Sequence, residues 1–133
     1  MKSARRAPRR VDVISSAVIL FAHGAREPEW ARPFELVRDR LRSEGTRVEL
    51  AFLEMMSPSL DEAAAQLAGE GFGTVTIVPL FLAQGAHLKR DLPAMVAKLR
   101  KHHAKTEFRV TSALGDDPEV VAAITDWVKR AAR

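Results

Sequence analysis

Two short, almost unbroken apolar runs, Ala17–Ala22 and Thr74–Leu82, constrain this chain more than any other feature. Each is too short for a buried helix and too apolar for a strand with one wet face. Runs of this kind belong to strands covered on both sides, which in practice means a parallel sheet with helices on its two faces. Two further strand patterns lie near 48–53 and 107–113. Helical patterns separate all four.

The first helix is expected from about Pro28 to Glu44, with Trp30, Phe34, Val37 and Leu41 recurring every three or four residues and Gly45 as its stop. Ser59-Leu-Asp-Glu62 has the form of a capping box and opens the second, whose apolar face carries Leu60, Ala64 and Leu67 before Gly69 and Gly71. A third follows Asp91-Leu92-Pro93, with Asp91 as its cap and Met95, Val96 and Leu99 inward. A fourth follows Asp116-Asp117-Pro118, with Val120, Ile124 and Trp127 or Val128 as its stripe. Pro79 cannot donate to a strand ladder, so it marks a bulge or the point where the third strand leaves the sheet. Right-handed crossovers then define the fold class: α/β, a single small doubly wound domain with a four-stranded parallel sheet flanked by helices.

At 133 residues the chain suits one domain, expected over 13–133, with a basic, disordered leader expected over 1–12. Of the 21 Lys and Arg residues, five lie in Met1–Arg10, where there is no acid. From Val11 onward 16 basic residues meet 17 acidic ones, so the alkaline pI belongs to the leader and the domain has no surplus for nucleic acid. As a secretion signal the region fails: Asp12, Ser15 and Ser16 interrupt it and leave only about six continuous apolar residues where about 7–15 are needed. No stretch approaches the ~18 apolar residues of a membrane span. Cysteine is absent, which excludes disulfides, thiolate metal sites and Cys nucleophiles. The expected setting is the cytoplasm, without membrane partners.

In open parallel sheets ligands bind beyond the carboxyl ends of the strands. His23 follows the first apolar run, Glu54 follows the second strand, and His87 lies in the segment Leu82-Ala-Gln-Gly-Ala-His87 after the third. Two imidazoles and one carboxylate in a single cleft suit a divalent first-row metal with open positions. Arg26, Lys89 and Arg90 flank them as partners for carboxylates or phosphates. Gly24 and Gly85 permit tight turns or the close approach of a flat ligand. Met55 and Met56 are either core or pocket lining, and His102 and His103 are surface residues near a helix end.

Leu20-Phe-Ala-His-Gly-Ala-Arg26, Ala51-Phe-Leu-Glu54, and Pro79-Leu-Phe-Leu82 through Gly85-Ala-His87 to Asp91-Leu-Pro93 together resemble a known family. It is the small form of the CbiX-type sirohydrochlorin chelatases, class II tetrapyrrole metal chelatases. The resemblance covers about Ala17 to Asp117. It implies insertion of Co²⁺ or Fe²⁺ into sirohydrochlorin, for cobalamin or sirohaem. His23 and His87 would then be the metal-handling and catalytic histidines, and Glu54 the active-site glutamate. It also implies a homodimer, since larger relatives fuse two such halves, and an ion that is substrate rather than a tightly bound cofactor. Many relatives carry Ser where this chain has Ala25.

Two other readings compete. Phe21-Ala-His-Gly-Ala-Arg-Glu27 superficially resembles a histidine-phosphatase loop, but Ala22 stands where an arginine normally holds phosphate. A non-catalytic carrier of metal or tetrapyrrole would use the same cleft. An α/β-hydrolase is excluded by the lack of a Gly-x-Ser-x-Gly elbow.

Overall fold

The computed structural model describes residues 15–133, so the expected leader and the first two residues of the expected domain lie outside it. Four strands, β1 (Ser16–Ala22), β2 (Val48–Phe52), β3 (Thr74–Pro79) and β4 (Glu107–Val110), alternate with four α-helices. The helices are α1 (Arg32–Ser43), α2 (Leu60–Gly69), α3 (Ala86–His102) and α4 (Pro118–Ala131). All strand pairs are parallel, in the order β2-β1-β3-β4. The expected four-stranded parallel α/β fold is therefore the one observed.

The order explains the layering. The chain steps from β1 to β2 in one direction, then returns past β1 to β3 and β4 in the other. Right-handed crossovers must place α1 on one face and α2 and α3 on the opposite face. The side chains agree. Ile19, Phe21, Val75, Ile77 and Phe108 pack with Leu60 and Leu67 of α2 and with Leu92, Val96 and Leu99 of α3. Leu20, Val48, Leu50 and Phe52 face the other way, against Trp30, Phe34 and Leu41. The direction reverses between β1 and β3, which makes the carboxyl ends of those two strands the place for a ligand crevice.

Several boundaries differ from the sequence expectation. The first helix is preceded by a 3₁₀ turn over Pro28–Ala31, because Pro33 resets the start of the α-helix proper. β3 ends at Pro79, and β4 stops at Val110 rather than 113. Gly45 and Gly71 do adopt left-handed conformations, and Ser59 and Glu62 form both bonds of the capping box. The largest correction concerns α3, which begins at Ala86 with Gly85 as its N-cap, so Asp91 is not a cap and Pro93 lies inside the helix. Proline there removes one helical hydrogen bond, and the exposed ring faces solvent while Leu88, Leu92, Val96 and Leu99 anchor the opposite side.

A histidine and glutamate cleft at the switch point

β1 ends in the buried Phe21 and Ala22, which deliver His23 to the carboxyl edge of the sheet. Gly24 then takes φ +100°, and a Cβ at this position would overlap the main-chain carbonyl of Glu54. The loops after β1 and β2 therefore touch backbone to backbone. The Leu53 amide donates to the Ala22 carbonyl at 2.9 Å, and the Glu54 amide donates to the His23 carbonyl at 3.0 Å. This ladder extends the β1–β2 register beyond the strands and puts His23 Nε2 3.3 Å from Glu54 Oε2. Both side chains are about half exposed. Met55 turns the chain away at φ +66°, an uncommon conformation for a residue with a side chain.

Phe81, just beyond β3, supports the pair from below. Its buried ring stands edge-on to His23, with centroids 6.0 Å apart, and edge-on to Phe21 at 5.7 Å. His23, Leu53, Phe81, Gly85, His87, Leu88, Asp91 and Met95 line one cavity of about 260 Å³. His87 sits in the first turn of α3, whose N-terminus opens on this cavity. Unpaired amides and the positive end of the helix favour an anionic group there.

The His87 ring has a defined hydrogen-bonding role. Arg90 donates to its Nδ1 at 2.7 Å. A guanidinium has no acceptor, so in this hydrogen bond Nδ1 is the accepting nitrogen.

The structure thus joins His23 with Glu54 and places His87 in the wall of the same cavity. It does not close the three into one ligand set: among the described residues no three His, Asp or Glu groups converge closely enough to hold an ion. Gly24 and Gly85 take part through backbone shape. Arg90 reaches the site through His87, whereas Arg26 is exposed and does not line the cavity. Lys89 lines a separate groove on the other side of α3. His102 and His103 lie far along the helix, as expected. Asp91, Phe81 and Met95 were not anticipated as lining. The four-residue spacing of His87 and Asp91 is the signal that would have found Asp91 once the segment was read as helical.

A small parallel α/β unit thus carries an imidazole–carboxylate pair and a second imidazole at the switch point of its sheet. Residues 17–131 match the model of the CbiX family, and the chain belongs to that family. It is 30% identical over 114 residues to the sirohydrochlorin cobaltochelatase of Sulfolobus acidocaldarius, covering 86% of this chain and 90% of that one. A similar match, 30% over 116 residues, covers 87% of this chain and 93% of the sirohydrochlorin cobaltochelatase of Sulfurisphaera tokodaii. Among solved structures, a CbiX protein of Marinobacter aquaeolei VT8 superposes with a TM-score of 0.79 at 34% identity, over 88% of this chain and 97% of that one. The cobalt complex of the sirohydrochlorin chelatase SirB from Bacillus subtilis subspecies spizizenii shares the fold, with a TM-score of 0.72 at 23% identity. The match covers 86% of this chain and 50% of SirB.

Proposed function

We propose that this protein is a sirohydrochlorin metal chelatase, inserting Co²⁺ or Fe²⁺ into the tetrapyrrole for cobalamin or sirohaem synthesis. The observation that carries this reading is that His23, paired with Glu54, lines one cavity together with His87 at the switch point, in a chain of the CbiX family.

Metallating a tetrapyrrole needs an ion held by labile ligands and a base for two pyrrole N–H protons. His23 and Glu54 receive the ion as substrate, with few enough donors that most coordination positions stay open for pyrrole nitrogens. Neutral imidazole can accept a proton, and Glu54 shares that transfer across the 3.3 Å contact. Arg90 binds a substrate carboxylate, and in turning to it releases Nδ1 of His87 for the ion or a proton. His87 is thereby freed as the ring arrives. Arg26 and Lys89 extend the positive rim.

The reading includes a homodimer. One chain spans half of SirB, so a second copy supplies the length of the other half. It also includes action in the cytoplasm, without nucleic acid or membrane; no helix among the described residues is long and apolar enough to cross a membrane.

Anaerobic incubation with sirohydrochlorin and Co²⁺ or Fe²⁺, followed by absorbance against a blank without protein, tests the proposal. Acceleration over spontaneous insertion is the expected result. Tight binding of ion or ring without acceleration would replace it with a carrier.

A further inference from the structure

The rim around the His23–Glu54 pair is apolar and bare. Met55 is 61% exposed and Leu82 64%; with Trp127 they are the most exposed large apolar side chains among the described residues. Neither joins an apolar core cluster. Met55 follows Glu54 directly, and Leu82 lies between Phe81 and Ala83, both of which line the cavity. The strand order β2-β1-β3 puts Met55 on one side of His23 and Leu82 on the other. Two strand spacings, about 10 Å, separate the segments that carry them.

The backbone is strained to hold Met55 there. The Met56 amide donates to the Glu54 carbonyl at 2.8 Å, and Met55 between them has φ +66°. A hydrogen bond across three residues with a positive central φ is a γ-turn of the rare, strained hand. Glycine would adopt it freely, whereas any side chain at that φ crowds its own backbone. The turn is locked from outside. The Glu54 amide donates to the His23 carbonyl at 3.0 Å, the Glu54 carbonyl abuts Gly24, and the Phe52 amide donates to the Pro58 carbonyl at 2.9 Å. Strain that the surroundings impose on a side chain with no packing role is a mark of use.

Leu82 is fixed as firmly. Gly115 donates to the Phe81 carbonyl at 3.0 Å, and any Cβ at Gly115 would overlap the main chain of Leu82.

We infer that Met55 and Leu82 seat one face of the tetrapyrrole ring, on either side of His23. The cavity between them, about 260 Å³, is below the range of about 300–1,000 Å³ that encloses a drug-sized ligand. It takes an ion and leaves the ring lying across the rim, where the exposed side chains set its orientation. Sirohydrochlorin carries its carboxylates on the edge of the ring, and its two faces are π-surface. Exposed Met and Leu side chains match a face, and a thioether is a favourable neighbour for a π-system. Arg90 matches the edge. Seated on its face, the ring turns its pyrrole nitrogens toward His23 and Glu54; seated on its edge, it would offer them carboxylates. The inference rests on the chelatase reading and adds to it the two side chains that orient the ring.

Equilibrium binding of metal-free sirohydrochlorin, beside thermal unfolding and metal insertion, tests the seat. Met55→Gly removes the apolar surface and the strain together. The expected result is a Tm no lower than the parent's, a dissociation constant and KM raised about tenfold, and a largely retained kcat. The loss should persist at high salt, where the contribution of an ionic contact is screened. Leu82→Ala should weaken binding to a similar degree, and Met55→Leu, which keeps the apolar bulk, should bind as the parent does. A Met55→Gly protein that loses stability along with affinity overturns the seat, because Met55 is then structural. Met55→Leu binding as weakly as Met55→Gly overturns it by assigning the contact to the sulfur. A parent that binds the ring and speeds insertion, with either Met55→Gly or Leu82→Ala binding as tightly, overturns the seat and leaves the chelatase reading standing. A parent that does neither overturns both.

Discussion

His23 and Glu54 are joined twice: the Glu54 amide donates to the His23 carbonyl at 3.0 Å, and their side chains meet at 3.3 Å. The side-chain pair is thus held by main chain, and Gly24 is what lets the two loops approach. Gly24→Ala should force them apart. With φ +100° and a direct overlap on the Glu54 carbonyl, the substitution should lower stability by about 1–3 kcal/mol. Activity should fall more than stability suggests, by at least about tenfold, because the pair itself is displaced. Thermal unfolding and metal insertion measured on the same preparation check both parts.

His23→Ala and His87→Ala remove half-exposed or exposed side chains, so each should change stability by less than about 0.5 kcal/mol. Each should nonetheless reduce insertion by about 10²–10⁴-fold if the imidazoles move protons or hold the ion. Circular dichroism separates loss of chemistry from loss of fold. Unchanged turnover in His87→Ala would remove that residue from the mechanism.

Arg90 makes a distinct prediction through its 2.7 Å bond to His87 Nδ1. Arg90→Ala should raise KM for sirohydrochlorin about tenfold, as expected for one charge-assisted hydrogen bond to a carboxylate. It should also strengthen binding of Co²⁺ alone, since Nδ1 is then free before the ring arrives. Titration of Co²⁺ in the absence of tetrapyrrole checks the second effect.

Much of this was legible in the sequence because burial leaves a periodic record. The runs Ala17–Ala22 and Thr74–Leu82 read as doubly covered strands, the second overrunning β3 by three residues, and Ser59 with Glu62 read as a cap. The start of α3 was not. Gly85 caps the helix with no side-chain bond, whereas Asp91-Leu92-Pro93 looks like a cap followed by an early proline. Leu88, Leu92, Val96 and Leu99 hold the helix through Pro93, so packing outweighs the one lost backbone bond. That shift moves His87 from a loop to a helix N-terminus and sends Lys89 to the opposite side. The α4 stripe was legible as a stripe. Periodicity shows that a face is apolar and carries no record of what covers it.

Away from the cleft, acid should weaken the fold through Glu70. The Arg47 guanidinium, helped by the Gln66 amide, holds the Glu70 carboxyl below the usual carboxylate range. A pKa lower in the folded than in the unfolded chain means that the pair's stabilisation is fully present above the unfolded value, about 4.3. It is lost as pH falls through the folded value. Glu70→Gln should therefore lower Tm at pH 7, and the difference from the parent should close as the pH falls through the folded value. The effect should be small, since the pair is at the surface.

The most direct measurement counts metallated product per chain under anaerobic conditions, for the parent and for His23→Ala and His87→Ala. Many Co²⁺ or Fe²⁺ insertions per parent chain, with the excess over the blank lost in both variants, is the expected result. Product that stops at one equivalent per chain, or variants as fast as the parent, would contradict a chelatase built on His23, Glu54 and His87.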